Sequence, residues 1–347
     1  MSGEDKKFKF DVVIGNPPYQ EEAGGTSSSD KPIYNYFMDE AYKIGDTVEL
    51  ITPGRFLFNA GATPKAWNRK MLSNKNVKVL YYETDSSKVF QNTDIKGGVA
   101  VTIFDRNQDF GEIGTFTIFS ELNSILKKAM PSIKKNGSLT DIIFSQNKFN
   151  LDKLNAHYPE LKRTDKRLES NIFNLDIFTN EKKSSDDLKI LGVIKNKRVY
   201  KFVDKSYIDI DKTNLYDYKV LLPKSNGSGT LGEVVSTPLI GTPLIGTPLI
   251  GYTRTFIGIG SFKTKFEANA ALKYVKSKFA RVMLGVLKVT QDNNPGKWKY
   301  VPLQDFTSNS DIDWTRSIAE IDQQLYKKYN LSPEEIDFIE THVKEMN

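Results

Sequence analysis

The sequence predicts an α/β protein in two parts: a partial, Rossmann-like sheet over residues 1–120, then an α+β region with C-terminal helices over 121–347. Three observations carry this. Four short runs before residue 105 are continuous in valine, isoleucine and leucine. Stretches of helical period separate the first three of them. Beyond residue 120 the texture changes to lysine-rich, turn-interrupted sequence closed by capped helices.

The four runs are KFDVVIG (9–15), VELITP (48–53), VKVLYYE (77–83) and GVAVTIF (98–104). Continuous apolar character marks strands buried on both faces. Between the first two, YNYFMDEAYKIG sets Tyr34, Phe37, Met38 and Ala41 at helical spacing. Between the next two, PKAWNRKMLSN carries Pro64 at a helical first turn. Strand–helix–strand alternation gives parallel pairing. The last run has no helix before it and is expected to run antiparallel.

In the second part, residues 264–288 (TKFEANAALKYVKSKFARVMLGVLK) predict one long helix. Phe266, Ala270, Val275, Phe279, Val282, Met283 and Val286 fall on one broad face, with Lys273, Lys276, Lys278 and Arg281 largely on the others. Such lysines usually form a solvated face; the functional alternative is contact with DNA phosphates. DWTRSIAEIDQQLYKKYN places Ile318, Ile321, Leu325 and Tyr329 on one helical face. Ser332, Pro333 and Glu335 are an N-cap, a first-turn proline and a capping-box acid for a final helix.

Composition excludes several chemistries. With 347 residues, 39% of them hydrophobic, two domains with sizeable cores are expected. The absence of cysteine removes disulfides, thiolate metal sites and thiol nucleophiles. His157 and His342 are the only histidines, which disfavours histidine metal sites and catalytic triads; no metal is expected. The net charge of +6 allows a polyanionic partner without requiring one. No apolar run is long enough for a membrane span and the N-terminus is charged, so a soluble cytoplasmic protein is expected.

The first strand ends in Asn16-Pro17-Pro18-Tyr19. Ligands of α/β sheets bind outside the carboxyl ends of strands. Two consecutive prolines stiffen the turn and fix the Asn16 side-chain oxygen and the Pro17 carbonyl as paired acceptors. Two acceptors suit an amino group with two N–H bonds. Accepting both hydrogens draws the nitrogen lone pair out of conjugation and makes it nucleophilic. Tyr19 can stack on the ring that bears the amino group.

NPPY resembles the catalytic motif of N6-adenine DNA methyltransferases, which use S-adenosylmethionine (AdoMet). That resemblance implies that Asn16 and Pro17 bind the amino group of a flipped adenine and that Tyr19 stacks on the base. SSKVFQNTDIKGGVAVTIF (86–104) resembles a later family motif and gives Phe90 the opposite ring face. ELITPGRFLF (49–58) resembles the strand and loop that follow the catalytic motif, and FTSNSDIDWTRSIAEIDQQLYKKYNLSPEEIDFIE resembles the specificity region of methylases related to type IIG restriction–modification enzymes. The resemblance thus implies strands four to seven of a methyltransferase sheet, followed by a target-recognition domain for double-stranded DNA.

One departure matters. In this subclass the glycine-rich AdoMet motif precedes NPPY, and only fifteen residues precede Asn16 here. GIGSF (258–262) lacks the unit that should follow such a turn. The chain is therefore expected to lack the AdoMet-binding half and to be inactive alone. Its first strand should then have an exposed edge, taken up by a polypeptide supplying that half or by self-association. Other readings are a non-catalytic DNA-binding specificity subunit, a glutamine-directed protein methyltransferase, and a Mg-dependent nuclease built on Asp152, Glu160 and Lys162.

TPLIG occurs three times in tandem at 237–251. Pro238, Pro243 and Pro248 exclude a central strand, so an extended or turn-rich loop is expected. Five residues span up to roughly 17 Å. Copy number is therefore expected to displace neighbours such as Arg254, a candidate DNA contact, and so to tune target recognition.

Overall fold

The computed structural model describes residues 10–21, 31–91, 93, 95–211, 213–237 and 241–346. The chain divides into Met1–Asn123 and Ser124–Asn347.

The first unit contains β1 (Phe10–Gly15), α1 (Tyr34–Ile44), β2 (Gly45–Pro53), α2 (Lys65–Leu72), β3 (Val77–Glu83) and β4 (Val99–Asp105). All four expected strands form. Their order is β1-β2-β4-β3. β1 and β2 are parallel, with Val13 beside Val48. β4 runs antiparallel to both of its neighbours, as the missing crossover helix predicts. This mixed sheet is compatible with strands four to seven of a methyltransferase-like fold.

Both helices serve one core. Tyr34 and Met38 of α1 and Trp67 and Met71 of α2 bury with Val48, Leu50, Phe56 and Phe104. β1 corrects one expectation, that it is buried on both faces. Val13 packs against this core, but Phe10, Val12 and Ile14 are 49%, 57% and 76% exposed. β1 is an edge strand, and its even-numbered residues point away from the core that α1 and α2 share.

The second unit is built on two larger sheets. Its elements are α4 (Leu151–His157), β5 (Asp187–Ile194), β6 (Lys197–Asp204), β7 (Tyr218–Pro223), β8 (Leu244–Gly246), β9 (Ile250–Tyr252), β10 (Phe256–Phe262), α5 (Lys265–Lys276), α6 (Lys278–Gly285), α7 (Ile318–Lys328) and α8 (Pro333–His342). A further helix, α3 (Ser120–Asn136), straddles the division between the units. β8, β7, β10 and the short Ile143–Phe144 strand form one antiparallel sheet. β6, β5 and β9 form the other, in which β9 is parallel to β5.

The long helix expected over 264–288 is two helices. Ser277 is extended (φ −60°, ψ 150°), and its hydroxyl accepts from the Ala280 amide. Both carboxylate oxygens of Asp322 accept from the amides of Lys278 and Phe279, at 2.9 Å each. A serine N-cap and a tertiary carboxylate thus start a new helix inside an unbroken helical pattern. Phe266, expected in the core, is 39% exposed. The capping box of α8 forms as its sequence indicates, with Ser332 and Glu335 reciprocally bonded.

Candidate catalytic site

Asn16–Tyr19 follow β1 directly at its carboxyl end. The exit is tied by a two-residue ladder, Gln20 and Glu21 against Pro32 and Lys31. The Ile33 amide donates to the Tyr19 carbonyl at 3.1 Å. The proline pair is thus pinned on both sides, by a strand and by a ladder leading into α1. Asn16 is exposed, and Pro17 and Tyr19 are half-buried.

Tyr19 packs its ring against the core edge. Burial pushes its hydroxyl up to about 12, so it stays protonated through neutral pH. Its ring faces Phe90 with centroids 6.4 Å apart and planes at 64°. A base held between two parallel rings needs roughly twice the 3.5 Å carbon–carbon contact distance, about 7 Å. The spacing is near that value. The rings here stand edge to face, so one of them must turn by 64° to lie parallel to the other.

Phe90 is held by a residue that sequence reasoning missed. Ser86 is buried. Its carbonyl accepts from the Phe90 amide at 2.8 Å. Its hydroxyl donates to the Thr93 carbonyl and accepts from the Ile95 amide, both at 2.7 Å. The Asp85-Ser86-Ser87 run, an N-cap signature, was the legible signal: Asp85 accepts from the Ser87 amide at 3.1 Å.

Gly97, Gly98 and Gly260 do not build an AdoMet cradle. Gly97 and Gly98 have φ of +86° and +70°. A Cβ on Gly97 would lie 2.5 Å from Arg55 Cγ, and one on Gly98 would lie 2.4 Å from the Glu83 carbonyl oxygen. Arg55, which donates to the Lys96 carbonyl, and Tyr82, which donates to the Gly97 carbonyl at 3.1 Å, fill that space. In GIGSF, a Cβ on Gly260 would lie 2.0 Å from the Phe262 ring. Close packing against the fold's own side chains explains these glycines, and a nucleotide does not fit there.

The candidate DNA contacts separate into two groups. Lys273 donates to the carbonyls of Trp314, Thr315 and Arg316. Lys278 pairs with Glu340 at 2.5 Å. Arg281, expected on an outward face, is 2% exposed. Its guanidinium donates to the carbonyls of Lys276, Gly232, Glu233 and Lys344, and burial lowers its pKa to about 10. Buried at that position, Arg281 cannot meet phosphates. Lys276 is half-exposed beside them.

Arg254 belongs to a different surface. It lines a cleft of 740 Å³ with Lys224, Ser228, Thr255, Gln291 and Asp292, among others, all of them polar or charged. Its guanidinium is oriented by Glu169 at 3.0 Å, and Thr255 and Ser170 hydroxyls meet at 3.2 Å. Asp152, Glu160 and Lys162, the nuclease candidates, are exposed. Among the described residues no three His, Asp or Glu side chains are grouped as metal ligands.

At the carboxyl end of β1 the pinned Asn-Pro-Pro-Tyr turn thus meets a second aromatic ring opposite the tyrosine. Residues 2–90 match the Eco57I restriction-modification methylase family, a stretch that includes Asn16, Tyr19 and Phe90. Over 103 residues the chain is 32% identical to an "Uncharacterized adenine-specific methylase" of Mycoplasma pneumoniae (strain ATCC 29342 / M129 / Subtype 1). That match covers 29% of this chain and 24% of the relative. The resemblance to adenine methylases of restriction–modification type thus holds over the N-terminal part. Among the described residues no helix is long and apolar enough to cross a membrane.

Proposed function

We propose that this chain carries the catalytic loop and the target-recognition part of a site-specific N6-adenine DNA methyltransferase. The observation that carries this reading is the Tyr19–Phe90 ring pair beside the pinned Asn16-Pro17 turn, inside the family-matched stretch. Asn16 Oδ1 and the Pro17 carbonyl accept the two hydrogens of the adenine amino group. Tyr19 and Phe90 hold the flipped base between their rings. Neither group acts as a general base: the Tyr19 hydroxyl is protonated at neutral pH, and the asparagine only accepts.

The AdoMet-binding strands, on this reading, come from residues outside these 347. The close-packed glycines and the exposed Val12 and Ile14 of edge strand β1 support it. Target reading falls to the second unit, at the Arg254 cleft. Its positive charges, Lys224 and Arg254, are offset by Glu169 and Asp292. A charge-balanced cleft lined by polar and charged residues suits base edges better than phosphates.

Titration of the chain with AdoMet by calorimetry is expected to give no micromolar isotherm; a one-site micromolar curve would show that the cofactor site is here after all. Supplying an AdoMet-binding half, fused or separate, is expected to restore adenine methylation, read by mass spectrometry of digested DNA. In that assembly Asn16→Ala is expected to lose most of the methylation while DNA binding persists. A non-catalytic specificity subunit would be indifferent to Asn16.

A further inference from the structure

The three TPLIG copies are identical in sequence and differ in what the fold does with them. Thr237 and Gly241, the ends of the first copy, bond to each other: the Gly241 amide donates to the Thr237 carbonyl at 2.8 Å and the reverse bond is 3.4 Å. The second copy supplies β8, which pairs antiparallel with Lys219, Val220 and Leu221 of β7. The third supplies most of β9, which pairs parallel with Lys189, Ile190 and Leu191 of β5. One five-residue phrase therefore pairs its end residues in the first copy, joins one sheet in the second and joins the other in the third.

The composition of the unit explains how one phrase serves two sheets. Five is odd, so successive copies in extended structure present opposite faces. The second copy turns its leucine, Leu244, onto the small core of Leu191, Leu221, Tyr252 and Phe256. The third turns its isoleucine, Ile250, onto the same core. Leu249, the leucine of the third copy, is 49% exposed. With two adjacent apolar residues per unit, an apolar side chain faces inward in either phase. The closing glycine fits both settings too. A Cβ at Gly246 would lie 2.9 Å from Leu221 Cδ1, and one at Gly251 would lie 2.7 Å from Ile190 Cδ1 and 2.9 Å from Asn147 Oδ1.

We propose that the array holds one spare unit: two tandem copies complete both sheets, and changes in copy number are confined to the segment between Thr237 and Gly241. Deleting any one copy yields the same polypeptide, so the chain is free to fill β8 and β9 with whichever two remain. The two sites are fixed from the downstream side. Tyr252 is 1% exposed, its amide donates to Asn147 Oδ1 at 2.9 Å, and the Thr253 amide donates to the Leu191 carbonyl at 2.9 Å. Upstream, the Thr237–Gly241 pair brings the two ends of the first copy within about 5.5 Å of each other. Excising the whole copy joins its neighbours, Ser236 and Thr242, which flank this pair. The Arg254 amide meanwhile donates to the Leu168 carbonyl at 2.8 Å. Copy number therefore leaves Arg254 in place, contrary to the displacement that the array's length alone suggests.

The test compares chains with one, two, three and four copies. Thermal melts of the two-, three- and four-copy chains are expected to agree within about 2 °C, while the one-copy chain, which must surrender β8 or β9, melts roughly 10 °C lower or does not fold. Hydrogen exchange of the two-copy chain is expected to show the β8 and β9 segments protected as in the parent. A two-copy chain that melts as low as the one-copy chain, or loses protection in either segment, overturns the proposal; so does a one-copy chain as stable as the parent. Point variants in the three-copy chain give a separate readout. Leu244→Ser is expected to lower the melting point by several degrees and Leu249→Ser by about one or less. Equal effects would refute the assignment of copies to strands. None of these measurements depends on DNA binding or methylation.

Discussion

The two units treat charge in opposite ways. Among the described residues, every buried polar side chain of the first unit is uncharged: Asn35, Thr52, Thr63, Asn68, Ser86, Thr102 and Thr117. The second unit buries Lys219, Arg281, Lys288, Asp322 and Glu335. Lys219 donates to the carbonyls of Asn214, Leu215 and Asp217, and Lys288 to those of Asn226 and Thr290. The first unit therefore keeps charged side chains out of its described core. The second uses cations as internal fasteners for irregular backbone, where carbonyls lack ladder partners. Net positive charge is thus a poor guide to a DNA-binding face. Several of the cations that looked like phosphate contacts hold the fold together.

The contrast breaks first at Asn16. Asn16→Ala in the assembled enzyme is expected to lower turnover 10²–10³-fold, the scale for losing one preorganised polar group, with an unchanged melting point. A melting point lower by many degrees would mean that the turn is structural after all. Arg281→Met is the converse case. It strands carbonyls of four residues and is expected to cost about 3–5 kcal/mol in urea unfolding. If the loss is under about 1 kcal/mol, the internal role assigned to Arg281 fails.

Two carboxyls of the second unit sharpen the comparison through pH. Burial pushes Asp322 up to about 6 against the lowering effect of the Phe279 and Lys278 amides. The folded state binds that proton more tightly than the unfolded chain, so its contribution to stability is full below pH 3.8 and is lost as pH rises through about 6. Glu233 has the opposite sign. Burial would raise it, but Ser228, the Gly229 amide and Lys288 hold it down at about 2. Its contribution is present above pH 4.5 and lost as pH falls through about 2. Asp322→Asn is expected to remove the decline between pH 4 and 6, a span worth up to about 3 kcal/mol, while leaving the acid limb in place. An unchanged pH–stability curve would count against a buried titrating Asp322. The smallest expected effect is at Leu249, whose φ of +66° is unfavourable for leucine. Leu249→Asn should stabilise the chain by roughly 0.5 kcal/mol, visible as a slightly raised denaturation midpoint.

The sequence by itself determined the main strands and helices described in the first unit. The four strands, both helices and the antiparallel β4 follow from apolar runs, helical spacing and the missing crossover. The placement of Asn16–Tyr19 directly after β1 was legible because a turn after a strand is local chemistry, and the capping box at Ser332 and Glu335 because its two partners lie three residues apart. Only the tertiary structure decided the rest. It exposed the far face of β1, since α1 and α2 share one core. It broke the 264–288 helix at Ser277, where Asp322 caps the second half from 44 positions away in sequence. It carried Arg281 inward to the Gly232 carbonyl, 49 positions upstream, and set three identical TPLIG copies in three different settings. The physical reason is the range of the interactions. Periodicity, capping and turn chemistry are fixed within a few residues, whereas an ammonium or guanidinium settles wherever distant backbone leaves carbonyls unpaired, and no short stretch of sequence records where that is.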